Sequence, residues 1–158
     1  MTPSQPEIKI REATVEDVNA ILLMAERFFV STAYAKVSTW DVNRAAETAL
    51  QYVNSDAHLL LIASVNDLPV GFIMAFRTIP MWSTSPMGIE TIFWVEPEAR
   101  NLGLGRLLKA HYLQWCILNG CDIWCLGNAL DIETTEELDK SLKKMNMLPA
   151  EAMYVGKI

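Results

Sequence analysis

The alternation of apolar and polar positions predicts that strands and helices follow each other along the whole chain. Alternating residues 8–11 predict a first strand. An apolar face that recurs every three to four residues predicts a helix after Thr14, with Asp17 completing its cap. The small and polar stretch 31–39 predicts a loop, and a second amphipathic helix is expected at about 41–54.

The middle of the chain has the pattern of an antiparallel hairpin followed by a central strand. Apolar runs at 58–65 and 70–79 flank the turn-forming residues 66–69, which predicts that the two runs pair. A longer connection at 80–88 then leads to a strand rich in β-branched and aromatic residues at 89–95.

The last third of the chain alternates in the same way. Its predicted elements are a helix at 104–119 that Gly120 terminates, a strand at 122–126, a helix from Thr134 or Thr135 to about Met145, and a closing strand at 153–155. The resulting order, β-α-α-β-β-β-α-β-α-β, predicts an α/β fold with a mixed central sheet and helices on both faces. We expect a single domain over residues 1–158.

Composition narrows the class of protein and of partner. With 51% hydrophobic and 20% charged residues, the chain has the composition of a globular protein. The net charge of −6 disfavours nucleic acid as a partner and favours a cationic small molecule. We expect no membrane partner and a cytoplasmic location, since neither a spanning apolar run nor a signal peptide is visible.

The cysteines and histidines do not form a recognisable catalytic or metal-binding pattern. Cys116, Cys121 and Cys125 lack the paired spacing and further ligands of a zinc site, so they are interpreted as small core residues, and no metal is expected. His58 and His111 have no serine, aspartate or cysteine partner at a recognisable spacing.

The most informative segment joins the central strand to the following helix. A strand that turns through glycines into a helix N-terminus presents backbone N–H groups, and the helix dipole adds positive potential. Gly103 and Gly105 allow an anion to approach the backbone, while Arg100 and Arg106 add charge suited to phosphate. The segment matches neither the dinucleotide fingerprint nor the P-loop.

The pattern Val95-x-Pro97-x-x-Arg100-x-x-Gly103-x-Gly105, between a strand and an amphipathic helix, resembles the GCN5-related N-acetyltransferase (GNAT) superfamily. The opening residues 10–17 are similar to the usual entry into the first helix of that family. The resemblance in length and element order extends over the whole chain.

The resemblance implies a V-shaped splay between the two central strands and acetyl-CoA as cofactor. The turn amides would hold the pyrophosphate, the central strand would pair with the pantetheine arm, and an asparagine after the fifth strand would contact the cofactor. The implied cofactor-binding residues are Phe93, Trp94, Val95, Arg100, Asn101, Leu102, Gly103, Leu104, Gly105, Arg106 and Asn128. For Asn128, loop capping is the alternative.

The implied reaction is direct attack of a primary amine on the thioester in a ternary complex. Glu90 is the candidate general base because relatives often carry a glutamate on this strand, and an exposed strand residue is the alternative. Strict alternation places Glu90, Ile92 and Trp94 on one face, but relatives usually have a bulge in this strand, and a bulge would change that count. The acceptor stays open among small amines such as polyamines, amino sugars or amino acids, and protein N-termini or lysines.

The position of the usual general acid departs from the family pattern. Leu142 stands where many relatives have tyrosine, and Asn146-Met147 replaces a Gly-Phe pair. Tyr154 and Cys125 are the candidate substitutes. The departure also motivates the alternative of a non-catalytic acyl-CoA-binding regulatory module.

Apolar residues gather in the connection before the central strand. Met81, Trp82 and Met87 are interpreted as core packing, an acceptor-pocket wall or a subunit interface. Because relatives are often dimers, we expect a homodimer.

Overall fold

Five strands form one mixed sheet in the order β1-β2-β3-β4-β5 in the computed structural model. The structure describes residues 5–127, 132–150 and 155–157. Their strands and α-helices, in chain order, are β1 Ile8–Glu12, α1 Val18–Val30, α2 Val42–Val53, β2 His58–Val65, β3 Leu68–Thr78, β4 Met87–Val95, α3 Leu104–Leu118, β5 Ile123–Cys125 and α4 Ile132–Lys144.

The described residues group into two compact units. The first comprises the described part of Met1–Ala25 with Val42–Gly127, and it contains the whole sheet, α2 and α3. The second comprises Glu26–Asp41 and the described part of Asn128–Ile158, with α4. Whether they act as one domain stays a prediction.

The sheet is antiparallel from β1 to β4, and β5 joins it in parallel. The β4–β5 ladder is short, with its last pair at Ile89 and Cys125. Residues 90–95 of β4 continue past this pair, and no described strand lies beside them on that edge. This divergence is the splay that the resemblance implies, and it leaves backbone groups of β4 open to a ligand.

The core of the first unit lies between the sheet and α3. Helix α3 contributes Leu104, Leu108, Tyr112 and Cys116 to a buried cluster with residues of β2, β3 and β4. These residues recur at every fourth position, so they share one helix face. Helix α2 packs against β2 and buries Tyr52. This packing places α3 directly against β4.

Several predicted boundaries move by a few residues. The hairpin turn is only Asn66–Asp67, both with positive φ (50° and 65°), so Leu68 and Pro69 belong to β3 rather than to the turn. Helix α1 follows a 3-10 turn at Val15–Asp17 instead of beginning directly after Thr14.

The other boundary changes are small. The loop 31–39 contains a 3-10 turn at Ala33–Lys36, β4 begins at Met87, and α4 begins at Ile132. Of the predicted closing strand, 153 and 154 lie outside the described residues, and Val155 is not in a strand.

The predicted cap at the start of the first helix is confirmed. The Asp17 carboxylate accepts the backbone N–H of Thr14 at 2.7 Å and its hydroxyl at 3.1 Å. Arg11 donates to the same carboxylate at 2.6 Å. The Arg11 guanidinium holds the pKa of Asp17 at about 2, below its usual 3.8, with the Thr14 bonds acting in the same direction. Strand β1 is thereby tied to the following turn.

Candidate active site

A β-bulge in β4 sets which side chains face α3. Ile92 pairs with Met74 and Glu90 pairs with Ala75, so Thr91 is an extra residue in the ladder. Ala75 belongs to the core on the α3 side, and Glu90 pairs beside it. The bulge changes the count that strict alternation gives, as the resemblance allowed: Glu90 shares its face with Phe93 rather than with Ile92 and Trp94.

The Glu90 carboxylate lies at the point where β4 and β5 separate. It accepts the backbone N–H of Gly127, just beyond β5, at 2.8 Å. Burial raises the pKa of Glu90 from its usual 4.5 to about 7, and the hydrogen bond from Gly127 partly opposes this rise. The alternative of an exposed strand glutamate is excluded, since the residue is half-buried and hydrogen-bonded. A carboxyl group with this pKa exchanges a proton near neutral pH.

The turn after β4 ends at Gly103, in a backbone conformation that only glycine adopts easily. Gly103 has φ 77° and caps the N-terminus of α3. Helix α3 starts at Leu104, and its first turn presents N–H groups that have no partner within the helix. At Gly105, an added Cβ would lie 3.4 Å from Phe93 Cζ, an ordinary contact distance, so the first turn of α3 lies directly against β4. The arrangement fits a pyrophosphate next to the open edge of β4.

The two arginines of the turn differ in position. Arg100 Nε donates to the carbonyl of Val95 at 3.0 Å, and its guanidinium lies 5.1 Å from the Trp94 ring centroid. Through these two contacts, Arg100 stabilises the end of β4. Arg106 is exposed, and its guanidinium would lie 3.7 Å from a Cβ at Gly103. Arg106 is thus the arginine beside the helix N-terminus where an anion would lie.

The remaining predicted cofactor residues occupy the same strand and turn. Phe93 is half-buried, Trp94 and Val95 are buried, and Asn101 and Leu102 are exposed in the 3-10 turn Pro97–Leu102. Asn128 lies outside the described residues. Their contacts with a cofactor stay predictions.

Only one of the two candidate general acids lies within the described residues. Tyr154 lies outside the described residues. Cys125 is the last residue of β5, half-buried, and strand alternation turns its thiol away from the face of Trp124, which packs toward α3. Leu142 lies in α4, and Asn146 has φ 58°, the left-handed conformation that glycine commonly adopts after a helix.

Two contacts in the site region have only weak sequence signals. The Tyr112 hydroxyl donates to the Cys125 carbonyl at 3.1 Å. The Thr91 hydroxyl donates to the Met74 carbonyl at 3.2 Å and lies 3.3 Å from the Tyr52 hydroxyl. Polar atoms on otherwise apolar faces were the only available signal, because their partners are distant in sequence.

Two interpretations, of a histidine and of the cysteines, change. His58 does have a serine partner, since its Nδ1 lies 2.8 Å from Ser55 Oγ at the start of β2. Of the cysteines, Cys116 is buried as expected, whereas Cys121 and Cys125 are half-buried. Over the described residues, no group of three or more His, Cys, Asp or Glu side chains could hold a metal ion.

Core packing does not explain the apolar connection before β4. Met81 is 98% exposed and Trp82 is 75% exposed, while Met87 is half-buried at the start of the strand. For Met81 and Trp82, the remaining interpretations are a wall of the acceptor pocket and a subunit interface. None of the helices in the described part of the chain is long and apolar enough to cross a membrane.

The mixed sheet and the glycine turn are those that the resemblance to the GNAT superfamily implies, and a family model identifies the family. The model described as the acetyltransferase (GNAT) family matches residues 22–135. The chain belongs to this family, is an N-acetyltransferase, and uses the family's cofactor, acetyl-CoA. No curated protein matches the sequence.

Solved structures share the fold at low sequence identity. An aminoglycoside N-acetyltransferase AAC(6′)-Iy in complex with CoA has a TM-score of 0.78 at 15% identity, covering 100% of this chain and 99% of that one. A transcriptional regulator from Bacillus halodurans has a TM-score of 0.75 at 16% identity, covering 95% and 99%. A ribosomal-protein-alanine N-acetyltransferase from Brucella melitensis has a TM-score of 0.71 at 14% identity, covering 96% and 99%. These similarities concern the fold.

Proposed function

We propose that the protein transfers the acetyl group of acetyl-CoA to a primary amine of a small molecule, with Glu90 as general base. The observation that carries this proposal is the Glu90 carboxyl group, half-buried where β4 and β5 diverge and held by the Gly127 N–H at 2.8 Å. Its pKa of about 7 leaves much of the group ionised at neutral pH. Such a carboxylate can accept the proton of an ammonium group, directly or through a water molecule.

The cofactor supplies an acetyl thioester to this centre when it is bound. The proposed holding groups are the first-turn N–H groups of α3, the guanidinium of Arg106 and the open backbone edge of β4 at 90–95. An N–H on that edge can donate to a carbonyl oxygen that gains negative charge. Direct attack in a ternary complex needs no covalent group on the protein, and it requires both ligands to meet beside Glu90.

A small amine is the acceptor class that we favour. The net charge of −6 attracts cations, and one of the structural neighbours is an aminoglycoside enzyme, also seen with a bisubstrate analogue that joins CoA to an acetylneamine. Another neighbour is named for acetylation of a ribosomal protein, so peptide N-termini belong in the test. The proposed location is the cytoplasm.

The test measures CoA release with a panel of neamine, sisomicin, spermidine, free amino acids and an alanine-terminated peptide. With an acceptor that gives turnover, Glu90→Gln should lower kcat/KM by roughly 10²–10⁴ at neutral pH. Glu96→Gln, immediately after the same strand, is the matched control and should retain activity. Wild-type activity of Glu90→Gln would remove Glu90 from the proposed mechanism.

A second candidate function, an acyl-CoA-binding regulatory module, is favoured by Leu142 at the usual tyrosine position. It predicts that acetyl-CoA binds while no amine of the panel gives turnover. Turnover with any amine at a rate that depends on Glu90 excludes it.

A further inference from the structure

Tyr112 places a hydroxyl group beneath the junction of β4 and β5. The residue lies on α3 and is fully buried, at 0% exposure. Its hydroxyl donates to the backbone carbonyl of Cys125 at 3.1 Å. Burial raises the pKa of this phenol above its usual range, so the group stays protonated and acts as a donor. A buried donor of this kind ties the helix to one backbone atom of β5.

The atom that Tyr112 holds is close to the end of the sheet. Cys125 forms the last pair of the β4–β5 ladder, with Ile89. Strand β5 has only the three residues Ile123–Cys125, so few ladder contacts fix its end. Two residues beyond Cys125, the Gly127 N–H donates to Glu90 at 2.8 Å. The hydrogen bond from Tyr112 therefore fixes the backbone two residues before Gly127, whose N–H group orients Glu90.

The packing around Tyr112 is adapted to this contact. Gly88 of β4 lies against the ring, where an added Cβ would be 3.1 Å from the Tyr112 hydroxyl oxygen and would overlap Cys116 Sγ. Trp124 of β5 contacts the ring from another side, with centroids 5.9 Å apart. Glycine at this position of β4 thus lets the phenol reach the backbone of β5.

We propose that Tyr112 is a positioning residue: its hydrogen bond to Cys125 fixes the end of β5 and so holds the Gly127 N–H against the Glu90 carboxylate. The proposal acts through Gly127 and does not require Tyr112 to touch either substrate. Its importance for catalysis rests on the proposed role of Glu90 as the base. The placement of Gly127 can nevertheless be measured without any acceptor.

The test compares Tyr112→Phe with the wild type by NMR at constant pH. The Phe variant keeps the ring and loses only the donor, so the Gly127 amide proton should move upfield and exchange about tenfold faster with water. The matched control is Thr32→Val, which removes another buried hydroxyl, 2.8 Å from the Phe29 carbonyl. The control should leave the Gly127 resonance unchanged.

Kinetics add a second measurement once an acceptor is known. Tyr112→Phe should lower kcat about threefold to tenfold, the loss expected for one hydrogen bond, with KM for acetyl-CoA within about twofold. An unchanged Gly127 amide in Tyr112→Phe overturns the inference, whatever happens to stability. Full activity of Glu90→Gln instead removes Glu90 from the proposed mechanism, which keeps the two failures distinct.

The wild-type chain provides a test that does not depend on the folding of a variant. A phenol that is buried and bonded to a carbonyl retains its proton for long enough to give a separate NMR signal. We expect a slowly exchanging Tyr112 hydroxyl proton. A Tyr112 hydroxyl that exchanges freely with water would also overturn the inference.

Discussion

Tyr52 and Thr91 are joined through their hydroxyl groups, whose oxygens lie 3.3 Å apart on the α2 side of the bulge in β4. Since the Thr91 hydroxyl donates to the Met74 carbonyl, Tyr52 is the donor between the two. The side chain of the extra residue is therefore bonded both to the neighbouring strand and to helix α2. This connection stabilises the register that turns Glu90 toward α3.

Thr91→Val should weaken the bulge, because valine has the same shape and cannot form either hydrogen bond. We expect the free energy of unfolding to fall by about 1 kcal/mol and kcat to fall with it, as Glu90 loses its fixed orientation. Urea denaturation and steady-state kinetics measure both effects. Tyr52→Phe leaves the Thr91–Met74 bond intact and should affect kcat less. Unchanged kcat in Thr91→Val would show that other contacts maintain the register.

The raised pKa of Glu90 gives stability a defined pH dependence. The folded state binds this proton up to a pH of about 7, whereas the unfolded chain releases it near 4.5, so Glu90 favours folding below 4.5 and this contribution is lost as pH rises to about 7. The stability of Glu90→Gln relative to wild type should therefore increase between these pH values and level off above them. Thermal unfolding from pH 4 to pH 8 measures the difference, and Glu96→Gln serves as control.

The same proton sets the pH dependence of activity. The base must be ionised, so kcat/KM should rise with pH through an apparent pKa near 7. An acid limb near the ordinary glutamate value of 4.5 would contradict the assignment.

The two left-handed glycines at the ends of α3 allow a matched test of cofactor binding. Gly103 has φ 77° at the N-terminal end and Gly120 has φ 66° just after the C-terminal end. Both Gly103→Val and Gly120→Val should lower Tm through backbone strain. Only Gly103→Val should remove the rise in Tm that acetyl-CoA produces, because its side chain would enter the anion site. An equal rise in both variants would place the cofactor elsewhere.

The guanidinium of Arg106 is predicted to contribute to the affinity for the cofactor. Arg106 is next to Gly103 and exposed, so Arg106→Gln should raise the Kd of CoA about tenfold by removing one charge-assisted contact. Arg44→Gln, on the exposed surface of α2, controls for the change in net charge. Calorimetric titration in low salt measures both. An unchanged Kd in Arg106→Gln would indicate that the backbone N–H groups alone bind the phosphate.

The sequence predicted the fold well where local chemistry decides the structure. Hydrophobic periodicity located α2 and α3 within a residue or two, and the glycines at 103 and 120 marked the ends of α3. The family resemblance added what periodicity could not, namely the short β4–β5 ladder, which depends on packing between segments distant in the chain. Its assignment of the turn to the cofactor stays a prediction.

Periodicity alone could not predict the orientation of Glu90, because one extra residue in a ladder reverses every later side chain. Nothing in residues 87–95 alone distinguishes a bulge at Thr91 from regular alternation; the partner groups are Met74 and Tyr52. The Tyr112–Cys125 bond was missed for the same reason, since a tyrosine on an apolar helix face is usual in a core. The exposure of Trp82 depended on the path of the connection, which has no periodic pattern.

The exposed residues Ile79, Met81 and Trp82 form an apolar segment that predicts a second subunit or an acceptor above it. They are 57%, 98% and 75% exposed, which is unfavourable for large apolar side chains that stay in water. We predict a homodimer at micromolar concentration that uses this segment. Trp82→Ser should weaken the dimer, or raise KM for the acceptor, and leave the Kd of CoA unchanged. Sedimentation velocity and acceptor kinetics separate the two outcomes, with Leu68→Ser, at the exposed start of β3, as the control. A wild-type monomer at high concentration, together with unchanged acceptor kinetics in Trp82→Ser, would contradict both roles.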